Sequence, residues 1–562
     1  MKFKNGKTYL SIAHGYRDKS KGTSTNRIIQ KLGYLEDLQK EYPDPVAHFK
    51  DVVAEMNGNA AKAAAESALT IDFAQKLGIG NQNRKNVGYA VLSKIYHELK
   101  LHSFWENRSR NLKADYSLNS IMKLLVFSRI LGPSSKKRAF DGKGQYFEKF
   151  DFSLNDVYRA LTHIAKQVEN CQKHINEHIP TRNTEVIYYD VTNYYFEIDE
   201  PDELRKKGVS KEHRPDPIIQ MGLFMDYDGI PISYKLFPGN TNDCETLRPS
   251  MSEIKRYFDF GRVIVVADKG LNTQDNIVFN LLQKDGYVYS QTVRGAHKEL
   301  KDYVLDPSGY VQTSEDYKIK SRIHPREISV TDIHGKTKKV RIDEKQIIFW
   351  SADYAKKAKA DRAAVIEKAF KLIKEPDKYR QNISHSAAKY VKNLDYDKKT
   401  GEIVNTGKTL AFDEGKVCEE EKWDGFYIIV TSELDKTDDE IIDIYRGLWR
   451  IEESFKVTKS DLEARPVFVT REDHIQAHFL ICFIALMILR LLQKRLGSKF
   501  SISTIAQCLS NISCSHLTEN LYLFDYADEV TEAIASEFGF DFTLKFRRLG
   551  DIKKIFADSK KV

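Results

Sequence analysis

With 562 residues the chain is long enough for two to four domains, each with its own core, and its 41% hydrophobic and 30% charged content fits a soluble globular protein. Met1-Lys-Phe-Lys-Asn-Gly-Lys7 lacks the apolar run of a secretory signal, which predicts a cytoplasmic protein, and the six cysteines, scattered without a Cys-x-x-Cys pair, argue against a zinc ribbon and a disulfide scaffold. A net charge of +8 and a pI near 8.8 suit a polyanionic partner without specifying one.

Residues 1–55 alternate in short stretches such as Thr8–Ala13 and carry a basic turn at 17–22, which predicts a small β-rich N-terminal module. Residues 56–84 read as a linker, rich in Ala, Asn and Gly at its start and helical or flexible. From 85 to 182 apolar positions recur at helical spacing. One helix through Ile121, Leu124, Leu125, Phe127 and Ile130 stops at Gly132-Pro133, and another starts at the capping box Ser153-Leu-Asn-Asp156. Between them lies Ser134-Ser-Lys-Lys-Arg138, either a solvated loop or a segment meeting DNA phosphates in the manner of a helix-turn-helix.

From Glu185 the period changes to that of strands: Val186–Tyr189, Tyr194–Phe196, and a hairpin around Asp226-Tyr-Asp-Gly229 closing on Ile232–Phe237. A helix over 245–258, a strand at Arg262–Val266 ending on Ala267-Asp268, a helix near 275–283 and a strand over 287–293 complete a mixed sheet flanked by helices at 183–294. Residues 295–424 break the pattern with hairpin-like pieces at 333–336 and 396–401 and a basic helix over 354–374, and read as an inserted, mostly β domain. The sheet resumes at Phe426–Val430 within 425–485. The run Phe479–Leu489, closed by Arg490, is too short to span a bilayer and reads as a buried helix, and residues 486–562 read as a helical C-terminal region.

The stretch Tyr445-Arg-Gly-Leu-Trp-Arg-Ile-Glu452-Glu-Ser-Phe-Lys-Val-Thr-Lys459 reads as one helix. At about 100° per residue, Tyr445, Glu452 and Lys459 fall within roughly 40° of one another, beside a buried stripe of Ile444, Leu448, Ile451, Phe455 and Leu462. Taken alone, Glu452 fits an ordinary i,i+4 ion pair with Lys456 equally well. Asp190 and Asp268 stand at expected strand ends, where a carboxylate is often only a turn former. If the sheet brings both beside Glu452, the three form a hard-oxygen site suited to two Mg²⁺ or Mn²⁺ ions and to phosphoryl transfer.

On these residues the chain resembles the DDE transposases of bacterial insertion sequences, in the group with a Tyr-Arg-Glu-Lys signature called insertion sequence four. Tyr445, Glu452 and Lys459 match that signature, and Asp190-Val-Thr-Asn and Val266-Ala-Asp268-Lys-Gly match the two aspartate motifs. His213–Asp216, Phe237-Pro-Gly-Asn240 and Trp449–Phe455 look like the sixteen-thirty-four branch.

The resemblance implies a ribonuclease-H-like core interrupted by an insertion. It further implies Asp190, Asp268 and Glu452 as catalytic metal ligands, and Tyr445 and Lys459 as contacts to the transposon end. Lys456, Lys269 and Arg450 are further candidates for DNA contact. Leu448 departs from the pattern, which has arginine there, so no phosphate contact is carried over to it. Trp449, ahead of Trp423 and Tyr427, is the candidate to stack an extruded base. Double-stranded DNA, both inverted-repeat ends and target, is the expected partner, a homodimer the expected synaptic assembly, and the bacterial nucleoid the expected location when DNA is bound.

His474-Ile-Gln-Ala-His478 has ligand spacing but lacks the glutamate a zincin needs, and is expected to be structural or DNA-facing. Glu197, Glu453 and Asp216 are second choices for the acidic cluster. Two other functions fit the same residues: a ribonuclease-H-like nuclease that does not join strands, and a transposase-derived, non-catalytic DNA-binding regulator.

Overall fold

Alternate positions of residues 186–195 carry apolar side chains on both faces, so this stretch is suited to the inside of a sheet covered on two sides. In the computed structural model it is such a strand. The structure describes residues 8–17, 24–65, 74, 76, 78–110, 112–179, 181–198, 200–208, 211, 216–258, 260–331, 335–375, 385–393, 395–396, 403–404 and 409–561. Expectations resting on 1–7, 18–22, 66–68, 213–215, 333–334 and 397–401 lie outside the described residues.

Two units are distinguished, 1–81 and 82–562. The first holds an antiparallel hairpin, β1 (Tyr9–Arg17) and β2 (Ser24–Tyr34), with two register shifts, then α1 (Leu35–Leu38) and α2 (Pro45–Ala65). The start of the expected linker, 56–65, is thus the second half of a helix, in keeping with its alanines.

The second unit opens with a short strand and six helices: β3 (Arg84–Asn86), α3 (Tyr89–Glu98), α4 (Leu101–Ser109), α5 (Leu118–Leu131), α6 (Lys136–Asp141), α7 (Leu154–Ala165) and α8 (Val168–Glu177). α5 ends at Gly132 and α7 starts on the Ser153/Asp156 capping box, as the sequence predicts. The basic segment 134–138 is not a loop: Ser135 caps α6, and Lys136 is buried.

Next come β4 (Val186–Tyr195), β5 (Ile218–Asp226), β6 (Pro231–Pro238), α9 (Asp243–Tyr257), β7 (Ile264–Ala267), α10 (Gln274–Leu282), β8 (Gly286–Gln291) and α11 (Lys298–Leu305). The following stretch gives β9 (Val311–Ser314), β10 (Tyr317–Thr331), β11 (Thr337–Ser351) and α12 (Ala352–Lys374). Small elements follow: α13 (His385–Ala388), β12 (Val391–Lys392), β13 (Asp395–Tyr396), β14 (Ile403–Val404), β15 (Ala411–Phe412) and α14 (Glu414–Glu421). Then β16 (Phe426–Thr431) leads into α15 (Asp438–Arg446) and α16 (Trp449–Lys456). The chain ends with α17 (Glu472–Arg495), α18 (Ile502–Asn511), β17 (Ser513–Thr518), β18 (Leu521–Phe524), α19 (Glu529–Phe538), β19 (Phe546–Arg548) and α20 (Leu549–Asp558).

The result is a mixed α/β architecture around a nine-stranded sheet in the order β6-β5-β4-β7-β8-β16-β11-β10-β9. β4, β7 and β8 run parallel, and the other neighbours are antiparallel. Part of the stretch read as an insertion, β9 to β11, therefore prolongs the main sheet instead of forming its own. The expectation of separate strands at 186–189 and 194–196 is also corrected: β4 is continuous, because Asp190 to Tyr195 keep pairing with β5 after β7 has stopped.

Side chains of one sheet face (Tyr188, Tyr194, Val266, Val288, Ile429) join the core built with α3–α8, α15–α18 and the C-terminal elements. Those of the other (Ile187, Tyr189, Val191, Val265, Tyr287) pack against α9, α10 and α11. α17 is long and apolar enough to cross a membrane, but 89% of its apolar window is buried within the protein, so it is the central helix of the first core. The region after it is not purely helical: β19-β18-β17-β3 form a four-stranded sheet in which Ser513–Ser515 pair with Arg84–Asn86.

Candidate active site

Strand register accounts for the centre of the site. β4 and β7 are parallel with Tyr188 opposite Val266, so two residues further on Asp190 comes abreast of Asp268. β7 and β8 are parallel with Val266 opposite Val288, which brings Ser290 beside Asp268. Adjacent strands lie about 4.8 Å apart. All three residues share parity with Tyr188, Val266 and Val288 and therefore face the same core. Leu223, opposite Asp190, and Ile429, opposite Ser290, close the row on either side with apolar side chains. A polar island thus interrupts an otherwise apolar face. Asp268 falls just beyond β7, as expected, whereas Asp190 lies inside β4 and not at its end.

The row is tied together by hydroxyls. Ser290 Oγ donates to Asp268 Oδ1 at 2.7 Å, Tyr445 Oη donates to the same oxygen at 3.3 Å, and the Tyr445 and Tyr427 hydroxyls lie 2.8 Å apart. Tyr445 therefore belongs to the carboxylate row through direct contact.

The helix that carries Glu452 is fastened to β4 at two points. Gly447 is buried against Tyr188, so closely that a Cβ there would stand 1.9 Å from Tyr188 Oη; only glycine allows this approach. Further along, Tyr194 Oη and Thr458 Oγ1 are 2.7 Å apart. Six strand residues span about 20 Å and eleven helical ones about 16 Å, so helix and strand run side by side in the same sense. Asp190, a third of the way from Tyr188 to Tyr194, is level with residues 450–451 by this interpolation, next to Glu452 on the helix.

The expected single helix is two segments in near-continuity, tightened by i→i−3 bonds at 447–451 and widened to a π turn over Val457–Asp461. Ile444, Leu448, Ile451, Phe455 and Leu462 are all buried, as the stripe predicts, and Glu452 is exposed. The three carboxylates are not drawn into one tight cluster. Among the described residues, the trio of potential ligands within 4.8 Å of one another is His174, Glu177 and His178.

Electrostatics around Asp190 favour a cation. Burial pushes its carboxyl up to about 6; Lys211 and a backbone N–H at Val191 oppose this, while the charges of Asp268 and Asp243 add to it. Lys211 donates to the Val191 carbonyl and lies 3.8 Å from Asp243, whose carboxyl burial also raises. Lys459 is brought down to about 8, first by burial and then by Lys211, with Asp190 acting in the opposite direction; its ammonium is 5.6 Å from the Tyr194 ring centroid. Tyr445 is pushed far up by burial, by Tyr427 and by Asp268. A row of oxygen donors whose negative charge is disfavoured by its neighbours is chemically matched to a hard dication.

The remaining candidates separate. Trp449 is 54% exposed, and Lys456 and Lys269 are exposed. Arg450 turns inward, its guanidinium 5.8 Å from the Tyr227 ring and 5.7 Å from that of Trp449, with its stem over Gly229. Leu448 is buried. Tyr427 is occupied by Tyr445, and Trp423 packs against the second core. Glu453 pairs with Arg490 at 2.9 Å, Glu197 is exposed and Asp216 is half-buried.

The histidine pair is structural. His478 is buried, with Nδ1 2.6 Å from Lys136 Nζ and Nε2 3.1 Å from the Ala464 carbonyl, and His474 is partnered by Thr162 and stacked on Tyr158. Ser290, Lys211, Asp243 and Gly447 escaped the sequence reading. Once the strands are aligned, register points to Ser290; no local pattern marks the others.

Residues 205–488 match the family model described as transposase DDE domain, and residues 1–67 match that of the IS1634 family transposase, N-terminal domain. The first match contains Asp268 and Glu452 and begins after Asp190. No curated protein matches the chain. Among solved structures, a piggyBac transposase synaptic complex with hairpin DNA matches at 8% identity and a TM-score of 0.36, over 76% of this chain and 78% of the other.

Proposed function

The chain belongs to the transposase DDE domain family, with the N-terminal domain of the IS1634 branch, and from that premise we propose that Asp190, Asp268 and Glu452 form its catalytic centre. It is a DNA transposase, an enzyme of a family that uses divalent metal to cut and join DNA strands. The observation that carries the assignment is the parallel register that sets Asp190 beside Asp268, with the Glu452 helix fastened over that strand by Gly447 and Thr458. The order β6-β5-β4-β7-β8, with the first three antiparallel and the next two parallel to β4, supports reading this part as a ribonuclease-H-like core.

The three carboxylates would hold Mg²⁺ or Mn²⁺, two ions on the proposed reading, and the metal would supply activation of a water or a 3′-hydroxyl and stabilisation of the leaving oxygen. Ser290 and Tyr445 fix the Asp268 carboxylate in one orientation by donating to the same oxygen. Lys459 and Lys211 place positive charge beside Asp190, where a DNA phosphate approaching the row meets it. Exposed Lys456, Lys269 and Trp449 present charge and an aromatic face to DNA, Trp449 being the platform for an extruded base. Arg450 is the weakest of the DNA candidates, since Tyr227 and Trp449 already flank it.

Residues 1–55 and 85–182 would supply recognition of the inverted repeats, 295–424 the insertion, and a homodimer the pairing of two ends. The site of action would be the bacterial cytoplasm, at the nucleoid when DNA is bound. The deciding experiment mixes the protein with Mg²⁺ and a labelled fragment carrying the flanking repeats and resolves the strands on a denaturing gel. Cleaved and joined strands are expected; cleavage without joining would identify a nuclease, and end binding without cleavage a regulator.

A further inference from the structure

The last turn of α8 and its cap carry His174-Ile-Asn-Glu-His178, on the helix that precedes β4 and separate from the carboxylate row. Positions i, i+3 and i+4 share one helix face. Their ligand atoms all lie within 4.8 Å of one another, and the two imidazole centroids are 4.2 Å apart.

Hydrogen bonds decide which ring nitrogen each histidine offers. His174 Nε2 is 3.1 Å from both the Leu99 and Lys100 carbonyls. A carbonyl only accepts, so Nε2 carries the proton and Nδ1 the free lone pair. His178 Nδ1 is 2.8 Å from the His174 carbonyl, so by the same reasoning its proton is on Nδ1 and its lone pair on Nε2. Each imidazole is thus held by a backbone acceptor, as metal-binding histidines commonly are, with its other nitrogen left to coordinate. The Phe104 ring, 5.0 Å from His174, backs the imidazole, while Glu177 is exposed and both histidines are partly so, leaving the group open to an ion from solvent.

We propose that His174, Glu177 and His178 bind one borderline transition-metal dication, of which Zn²⁺ is the type, with water completing the coordination. Two imidazoles and one carboxylate make the three-ligand set that suits Zn²⁺, whereas Mg²⁺ and Ca²⁺ prefer oxygen donors. The site joins three elements. Leu99 and Lys100 form the α3–α4 junction, and Asn176, on the same turn, donates to the Ile232 carbonyl of β6 at 2.8 Å. A bound ion would fasten the helical layer where it meets the first hairpin of the sheet.

The test is equilibrium dialysis of the full-length protein against Zn²⁺ alone and against Zn²⁺ with a large excess of Mg²⁺, for the parent chain, Glu177→Gln, His178→Gln and Asp268→Asn. The parent and Asp268→Asn are expected to retain one Zn²⁺ equivalent that Mg²⁺ does not displace, and His178→Gln to lose it. Glu177→Gln, an exposed change that leaves the fold intact, is expected to weaken retention tenfold or more. Co²⁺ in place of Zn²⁺ should give visible absorption that the same two variants lose. Equal retention in the parent, Glu177→Gln and His178→Gln, or loss of the ion in Asp268→Asn or under excess Mg²⁺, would overturn the site and leave the histidines as a stacked pair. Because Asp268→Asn is included, failure of this proposal is distinguishable from failure of the catalytic assignment.

Discussion

Replacing Asp190 by Asn should make the metal-free protein more stable while removing its activity. The folded protein lifts the Asp190 carboxyl from 3.8 to about 6, so its charged form is disfavoured on folding. At 1.36 kcal/mol per pKa unit this costs about 3 kcal/mol at pH 7, or about 2 kcal/mol after allowing for partial exposure. The raised pKa fixes the sign: the cost is full above pH 6 and disappears as pH falls below the unfolded value near 4, where both states are protonated. For the 82–562 unit, whose unfolding entropy is about 1 kcal/mol/K, the gain is roughly 2 °C in Tm.

The assay is thermal unfolding in EDTA and in saturating Mn²⁺, at pH 7.5 and at pH 4, beside a strand-cleavage gel. In EDTA at pH 7.5 Asp190→Asn should melt above the parent, and at pH 4 the two should coincide. An ion present at a hundred times its Kd stabilises by about 2.7 kcal/mol, so Mn²⁺ should raise the parent and leave the variant nearly unmoved. An Asp190→Asn protein that melts below the parent in EDTA, or that still cleaves DNA, would refute the reasoning.

Gly447→Ala places a methyl group 1.9 Å from Tyr188 Oη, so overpacking of about 1–3 kcal/mol and at least a tenfold loss of cleavage are expected, with end binding kept; unchanged cleavage would release Glu452 from its anchorage to β4. Ser290→Ala removes the 2.7 Å donor to Asp268 and should raise the Mg²⁺ concentration for half-maximal cleavage about tenfold or more, read from a Mg²⁺ titration of the cleavage rate. Asp268→Ala should abolish cleavage and retain binding to the repeats in a gel-shift assay, and full activity would end its assignment as a ligand. Trp449→Ala should leave Tm within about 1 °C, since the ring is 54% exposed, while lowering cleavage and joining; parental levels of both would remove it as a base platform.

Local patterns carried much of this fold. The capping box at Ser153, the Gly132 stop, the hairpin around Asp228-Gly229 and the buried stripe from Ile444 to Leu462 are each decided within a few residues, and each stands where the pattern puts it. Long-range pairing was not legible. Nothing in Arg84–Asn86 announces a partner at Ser513–Ser515, and the charged strands β10 and β11 read as a separate domain because only β16, further along the chain, attaches them to the sheet.

Asp190 shows the limit of propensity. A carboxylate suggests the end of a strand, but β5 continues to pair with β4 past it, and the position tolerates charge because β7 stops alongside. The motif residues were recognisable from spacing and resemblance. Of the two donors that orient Asp268, Tyr445 belongs to the motif, whereas Ser290 acquires its role only through a neighbouring strand.

The anchoring of α16 across β4 also orders events in time. About 260 residues of chain separate Asp190 from Glu452, which at 5–20 residues per second is roughly 13–50 s of synthesis. Through that interval a growing chain can lay down β4, β7 and β8 with both aspartates and still have no third carboxylate to work with. With Glu452 as the proposed third ligand, a nascent or prematurely terminated product would be catalytically silent whatever DNA it touches, and cutting competence would arrive in one step, when the late helix docks under Tyr188.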